Sequence, residues 1–288
     1  MRGRTSCLCR FGWTWRDGLE CAACQHLGMN AQHVNYDLCR TLASESPYPL
    51  VFATISGAHL YGFASKDSDF DQRGIHVLPA SEVLGLRETR ETIEQEGIRE
   101  GYEIDLVTHD LAKFCRLMLK KNGYVLEQLL SPLVVVTTPA HKRLIELAPA
   151  CITKFHAFHY LGFAETQWRL FRKEHPPRVK PLLYTYRVLL TGIHLMRTGE
   201  VNANLPSLNA MFELPYIHDL IAAKTGGKEK QTVPDADMVF HEQEYLRLRE
   251  LLEREHERSS LPETNGALAA MSEFVVQVRL DPDRWLQG

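Results

Sequence analysis

Ser56-Gly57-Ala58-His59-Leu60-Tyr61-Gly62-Phe63-Ala64-Ser65-Lys66-Asp67-Ser68-Asp69-Phe70-Asp71-Gln72-Arg73-Gly74 is the stretch on which the fold turns. It follows Pro49-Leu50-Val51-Phe52-Ala53-Thr54-Ile55, an apolar run bounded by turn residues and of the length of a buried strand. Gly57 ends that run and allows the backbone to turn and to approach a ligand closely. The short Ala58 to Tyr61 piece can then direct backbone amides at an anion. Asp69 and Asp71 are one residue apart. On a strand their carboxylates project to one side while Phe70 points into the opposite layer. Two like charges so close call for a cation, and Mg²⁺ takes oxygen ligands from carboxylates and substrate phosphates. An exposed acidic turn is the plainer reading of such a pair taken alone.

A two-metal site needs a further carboxylate. Tyr102-Glu103-Ile104-Asp105-Leu106-Val107-Thr108 alternates like a second strand, with Ile104 and Leu106 on its buried side. Glu103 and Asp105 share a face at period two, and alternation does not choose between them. Asp105 is preferred because apolar residues flank it on both sides, where an unpaired charge is costly.

The ordered combination resembles the polymerase β nucleotidyltransferase superfamily. Ser-Gly-Ala-His-Leu-Tyr-Gly, Ser-Asp-Phe-Asp-Gln-Arg-Gly and Ile-Asp-Leu-Val-Thr-His are similar to a bacterial and phage group of nucleotidyltransferases, some associated with RNA repair. The resemblance runs from about Met29 to near the C-terminus. It implies a small mixed α/β (α+β) sheet followed by an all-helical domain, with the active site in the cleft between them. Asp69, Asp71 and Asp105 are then the catalytic set and the ligands of two Mg²⁺ ions, with Mn²⁺ as a substitute. The superfamily usually places Ser directly after the glycine. Here that position is Ala58 and Ser56 precedes the glycine, so phosphate contact falls to the amides of Gly57 and Ala58.

The implied reaction is transfer of a nucleoside monophosphate from a triphosphate to an acceptor hydroxyl, with an RNA 3′ end favoured and pyrophosphate released. The other readings are a catalytically silent nucleotide- or RNA-binding protein, and a transferase acting on a protein or small-molecule hydroxyl. The base, the acceptor and the oligomeric state are not specified by the sequence.

The 288 residues, 44% hydrophobic and 24% charged, suffice for a full core and one large or two small domains. A net charge of −3 gives no global field for nucleic acid, so a polynucleotide must be held by a local patch. No apolar run approaches the ~20 residues that span a bilayer, and no secretory h-region is present. With the cysteine usage, this points to a cytoplasmic protein.

Residues 1–28 differ from the rest. Cys7, Cys9, Cys21 and Cys24 have the donors for a structural Zn²⁺ site; the alternatives are an irregular extension or a start at Met29, and no chemistry is assigned there. The catalytic domain is placed at 29–149 and the helical nucleotide- and substrate-binding domain at 150–288.

Asn30 to Leu42 reads as a helix leading into the first strand, and the acidic Glu82 to Gly101 as a loop or hairpin. Asp110 to Leu119 reads as a helix with Asp110 as N-cap and Asn122-Gly123 as its stop. Arg73 shares the Asp69/Asp71 face; it is either a phosphate contact or a partner of the carboxylates. Further helices are expected over Lys154 to Glu174, Lys180 to Met196, His241 to Glu257 and Asn265 to Val278. Between Cys151 and Glu200 the bases outnumber the acids, which suggests the local basic patch. Lys180, Tyr184 and Arg187 fall at i, i+4 and i+7, as a clamp on triphosphate and base needs; the plainer reading is a solvated stripe beside a core.

Overall fold

The computed structural model describes residues 34–66, 68–226, 232 and 237–287. The four N-terminal cysteines and the zinc expectation attached to them lie outside the described residues.

The chain enters through α1 (Tyr36–Ser44), whose Asn35 side chain accepts the amide of Leu38 as an N-cap. The apolar run forms β1 (Leu50–Ile55), buried from Val51 onward. Gly57 breaks it into the one-turn helix α2 (Gly57–Tyr61). β2 (Phe70–His76) follows, so Asp71 is on the strand while Asp69 stands one residue before it. After the short α3 (Ala80–Val83), the acidic segment forms β3 (Thr92–Arg99), paired as a hairpin with β4 (Tyr102–Asp110). Glu100 and Gly101, both at positive φ, make the two-residue turn between them.

α4 (Leu111–Leu119) is capped by Asp110, which accepts the amide of Ala112. Asn122 does not stop α4 as its sequence position suggested. It is instead the N-cap of α5 (Gly123–Leu129), accepting the amide of Tyr124, while Lys121 makes the turn at a left-handed φ of 63°. β5 (Val134–Val136) completes a five-stranded mixed sheet in the order β3-β4-β2-β1-β5, with β2 and β4 parallel and the other pairs antiparallel. Phe70 and Ile104, register partners facing away from the carboxylates, fill the layer behind them.

α6 (Pro139–Leu147) and a 3₁₀ turn at Ala148–Cys151 lead into helical structure. There α7 (His156–Lys173) packs against α8 (Val179–Thr198), which is buried on nearly all sides. α9 (Leu205–Phe212), α10 (Pro215–Gly226) and α11 (Met238–Arg258) surround α8, and the first two of these had no expectation in the sequence. α12 (Leu268–Leu280) and α13 (Pro282–Leu286) return to the first half of the chain. Arg279 of α12 reaches Asp110 Oδ2 at 2.7 Å and the carbonyl of Leu78 at 2.5 Å. One continuous apolar core therefore runs from the sheet through the helices. No described helix is long and apolar enough to cross a membrane.

Three fully buried histidines make the fold acid-sensitive. His76 meets Thr108 Oγ1 at 2.8 Å, His141 meets the carbonyl of Leu129 at 3.2 Å, and His156 caps the turn at Thr153. Burial lowers each from its ordinary value to about 4. The unfolded chain takes up these protons first, so the stability they contribute is present above about pH 6.5 and is lost as pH falls toward 4. Urea unfolding at pH 7 and at about pH 5.5 is expected to differ by roughly 1 kcal/mol for each histidine, with the more acid sample weaker. Equal stabilities at the two pH values would contradict neutral burial of these rings.

Candidate active site

Parallel pairing of β2 with β4 puts Asp71 directly opposite Asp105, and antiparallel pairing of β3 with β4 puts Glu96 on the other side of Asp105. Register partners share a face, so three carboxylates form a row across three strands. They line an open cleft of about 460 Å³ together with Asp69 and Glu103 at its mouth. In this register Asp105 is the partner of Asp71, and Glu103 is exposed near the strand's start.

Arg73 lies between the two facing aspartates. Its guanidinium reaches Asp71 Oδ1 at 3.1 Å and Asp105 Oδ2 at 2.9 Å, and its Nε donates to Tyr124 Oη at 3.2 Å. Of the two sequence readings of Arg73, the carboxylate partner is the one observed. Burial raises the Asp71 carboxyl above its ordinary value; Arg73 opposes the rise, and Asp105 and Asp69 add to it. Asp105 Oδ1 is buried without a hydrogen-bond partner.

Among the described residues no three carboxylate, imidazole or thiol groups stand together as a preformed metal cage. Arg73 occupies the gap between Asp71 and Asp105, and Asp69 stands exposed ahead of the strand. The donor set still suits a hard divalent cation. It is all oxygen, it includes a buried unpartnered carboxylate oxygen, and its charges crowd one another.

The turn that carries the phosphate-binding expectation is built against Asp71. Gly57 has φ +60°, and a Cβ there would stand 2.0 Å from Asp71 Oδ2. Glycine is therefore required both by the backbone and by the close approach. Gly57→Ala is expected to displace the Asp71 carboxylate and reduce any turnover by about 10²-fold, a loss on the scale of misplacing one reacting group. The fold should lose only about 1–2 kcal/mol from backbone strain. Turnover equal to the parent protein would contradict this placement. Ser56 does not present its hydroxyl to the cleft: the side chain is fully buried and Oγ has no hydrogen-bond partner. Its amide instead donates to the Asp71 carbonyl at 2.8 Å, and Ala58 is buried beside it.

The helical half contributes from α8. The Lys180 ammonium is close enough to act on Asp71, and the charge of Asp71 in turn helps burial to raise the Tyr184 phenol. Tyr184 packs edge-on against Tyr61 and Phe63, just after the glycine turn. Arg187 does not join them as the helical spacing suggested. It is fully buried, 2.7 Å from Glu127 Oε2, with its guanidinium 3.9 Å from the ring centre of Tyr61. α8 has almost no solvent face, so its third position meets the core rather than the cleft.

The basic patch expected between Cys151 and Glu200 is largely neutralised. Lys154, Arg169, Arg172, Arg178 and Arg197 pair with Glu263, Glu165, Glu242, Glu174 and Glu255. Several of these acids lie far away in the chain and could not be assigned from local composition.

Sequence reasoning missed Tyr124, Glu96 and Glu127. No local signal marks Tyr124 or Glu127. Glu96 was readable in principle, because the Glu100-Gly101 turn fixes the hairpin register that sets it opposite Asp105.

Residues 31–277 match the family described as RNA repair pathway DNA polymerase beta family, RlaP. The chain is 33% identical over 162 residues to the uncharacterized protein MJ0002 of Methanocaldococcus jannaschii, covering 56% of this chain and 66% of that protein. It is 29% identical over 155 residues to the uncharacterized protein YcgL of Bacillus subtilis, covering 53% and 58%. The chain thus spans somewhat less than two thirds of the length of these curated relatives. A nucleotidyltransferase-like protein from Exiguobacterium sibiricum aligns over 86% of this chain and 88% of that one, at 11% identity and a TM-score of 0.32, too low to carry an argument. The family match covers the whole carboxylate cleft and the helices over it, and the chain belongs to the RNA repair pathway DNA polymerase beta family.

Proposed function

We propose that this chain transfers a nucleoside monophosphate from a nucleoside triphosphate to the 3′-hydroxyl of RNA. The acceptor oxygen forms a bond to the α-phosphorus, the bond from that phosphorus to the bridging oxygen breaks, and pyrophosphate leaves. The observation that carries the reading is the facing pair Asp71 and Asp105, bridged by Arg73 and overlooked by Lys180 and Tyr184 from the helical half.

Asp69, Asp71 and Asp105 are the residues that would hold Mg²⁺, with Mn²⁺ as a substitute; the metal supplies charge neutralisation at the reacting phosphate. Asp105 would also help deprotonate or orient the acceptor hydroxyl. The amides of Gly57 and Ala58 and the Lys180 ammonium balance triphosphate charge, while Tyr184 offers a ring to the base. Arg73 neutralises the two aspartates and would shift one of its contacts to a phosphate oxygen when substrate enters. Support for RNA as acceptor comes from the RNA-repair character of the family.

The test is pyrophosphate release by the purified protein with Mg²⁺ and each ribonucleoside triphosphate, with and without RNA bearing a free 3′-hydroxyl. RNA-dependent release identifies the nucleotide and supports the reading. Release with protein or small-molecule hydroxyls instead would move the acceptor. A second reading, nucleotide binding without transfer, is favoured by Arg73 already neutralising the aspartates and by Ala58 at the usual serine position. Retained nucleotide with no release from any acceptor would establish that second reading.

A further inference from the structure

The turn between α4 and α5 and the start of α7 line an open groove of about 640 Å³. Lys120, Lys121 and Asn122 line it from the turn, and Phe155, Phe158 and His159 from the start of α7.

The rings offer a flat platform. Phe155 and Phe158 are nearly parallel, at 15° with centroids 6.0 Å apart, and Phe158 is 57% exposed. His256 supports Phe158 from 4.8 Å. A phenylalanine held in place by its neighbours with a face open to solvent is suited to stacking on another flat ring.

The residues from the turn are cationic. Lys120 and Lys121 form no ion pair among the described residues, in contrast to the arginines of α7 and α8. The Lys121 ammonium stands 4.6 Å from the Phe155 ring centre, so charge and π surface lie side by side. Lys121 also takes a left-handed backbone where glycine or asparagine would be less strained. His159 is lowered to about 4, by burial first and by Arg187 second, so it is neutral at physiological pH and the groove's positive charge belongs to the lysines.

Helix α5 ties the groove to Arg73. Asn122 in its wall caps α5, and Tyr124 in the first turn of that helix receives the Arg73 hydrogen bond.

We propose that this groove binds the unpaired end of the polynucleotide acceptor, with a base stacking on the exposed ring of Phe158 and phosphates meeting Lys120 and Lys121. Aromatic rings beside lysines also suit a lipid surface; the exposed ring of Phe158 beside two lysines without ion pairs among the described residues favours the polynucleotide. The purpose of the groove rests on the transfer reading, whereas its occupancy is measured independently of turnover.

Fluorescence anisotropy of the full chain with a labelled single-stranded RNA gives the test. Phe158→Ala should weaken binding by about 5- to 100-fold, the scale of one lost base stack. Lys120→Gln with Lys121→Gln should reduce the slope of log Kd against log salt by about 1.4. Both variants should retain nucleotide with Mg²⁺ as the parent does. Unchanged RNA affinity in both, tighter binding of a blunt duplex, or preference for vesicles of anionic phospholipid over RNA would each overturn the proposal. Variant-sensitive RNA binding without pyrophosphate release would keep the groove and sink the transferase reading. Release without variant-sensitive RNA binding would do the reverse.

Discussion

Asp71→Asn is expected to reduce pyrophosphate release by at least about 10³-fold while leaving the protein folded. The loss is at the upper end of what removing one charge-stabilising group from a catalytic site costs, because Asp71 is the strand's contribution to the facing pair and Asn keeps its shape without its charge. Stability should move little, or upward. Burial already favours the neutral form of Asp71, and Asp105 and Asp69 crowd its charge, so an uncharged amide relieves a conflict that the native chain maintains. Arg73 keeps Asp105 as its partner in the variant. The check is turnover beside a melting curve. Release at the parent rate from Asp71→Asn would remove the basis of the transferase assignment, whereas loss of both activity and folding would show that Asp71 holds the sheet instead.

Arg187→Met is expected to cost about 3–5 kcal/mol, because it leaves Glu127 as an uncompensated charge in the core. Both side chains are 2% exposed and meet at 2.7 Å. Burial opposes the charge of each. For Glu127 it raises the carboxyl despite Arg187, while for Arg187 the field of Glu127 and Tyr61 overrides burial and keeps the guanidinium protonated. The pair joins α5 of the sheet half to α8 of the helical half, and Tyr61 of the glycine turn stacks on it. Adding Glu127→Leu to Arg187→Met should recover much of the loss, since replacing both charges with apolar groups of similar size is often close to neutral. Urea unfolding of the two single variants and the double variant measures this. A loss below about 1 kcal/mol in Arg187→Met would mean that the pair contributes nothing net. A stable double variant with weakened nucleotide binding would show that the pair serves to set α8, and with it Lys180 and Tyr184, over the cleft.

Two aspartates one residue apart, an apolar strand before them and an alternating strand after them already specified a carboxylate face backed by Phe70 and Ile104. Period-two alternation fixes which way each side chain points, and the apolar partners fix which face is buried. Asp71, Asp105 and Gly57 were legible for that reason, as were the long helices, whose apolar spacing is local. The same local logic placed Arg187 beside Lys180 and Tyr184, and there it failed. Spacing on a helix says which residues share a side, but α8 is enclosed on nearly all sides, and a side that is shared in sequence meets the cleft at one end and the core further along.

The basic patch failed in the same way, since Glu242, Glu255 and Glu263 are remote in the chain and only packing brings them to Arg172, Arg197 and Lys154. By itself the sequence determined the carboxylate face of the cleft, because it depends on residue type and on the direction of neighbouring side chains along one strand. Only the tertiary structure decided what each charge faces: Arg73 between two aspartates, Glu96 opposite Asp105, Arg187 on Glu127. Those pairings join strands and helices far apart in the chain, and their energies depend on distance and burial, which no local pattern encodes.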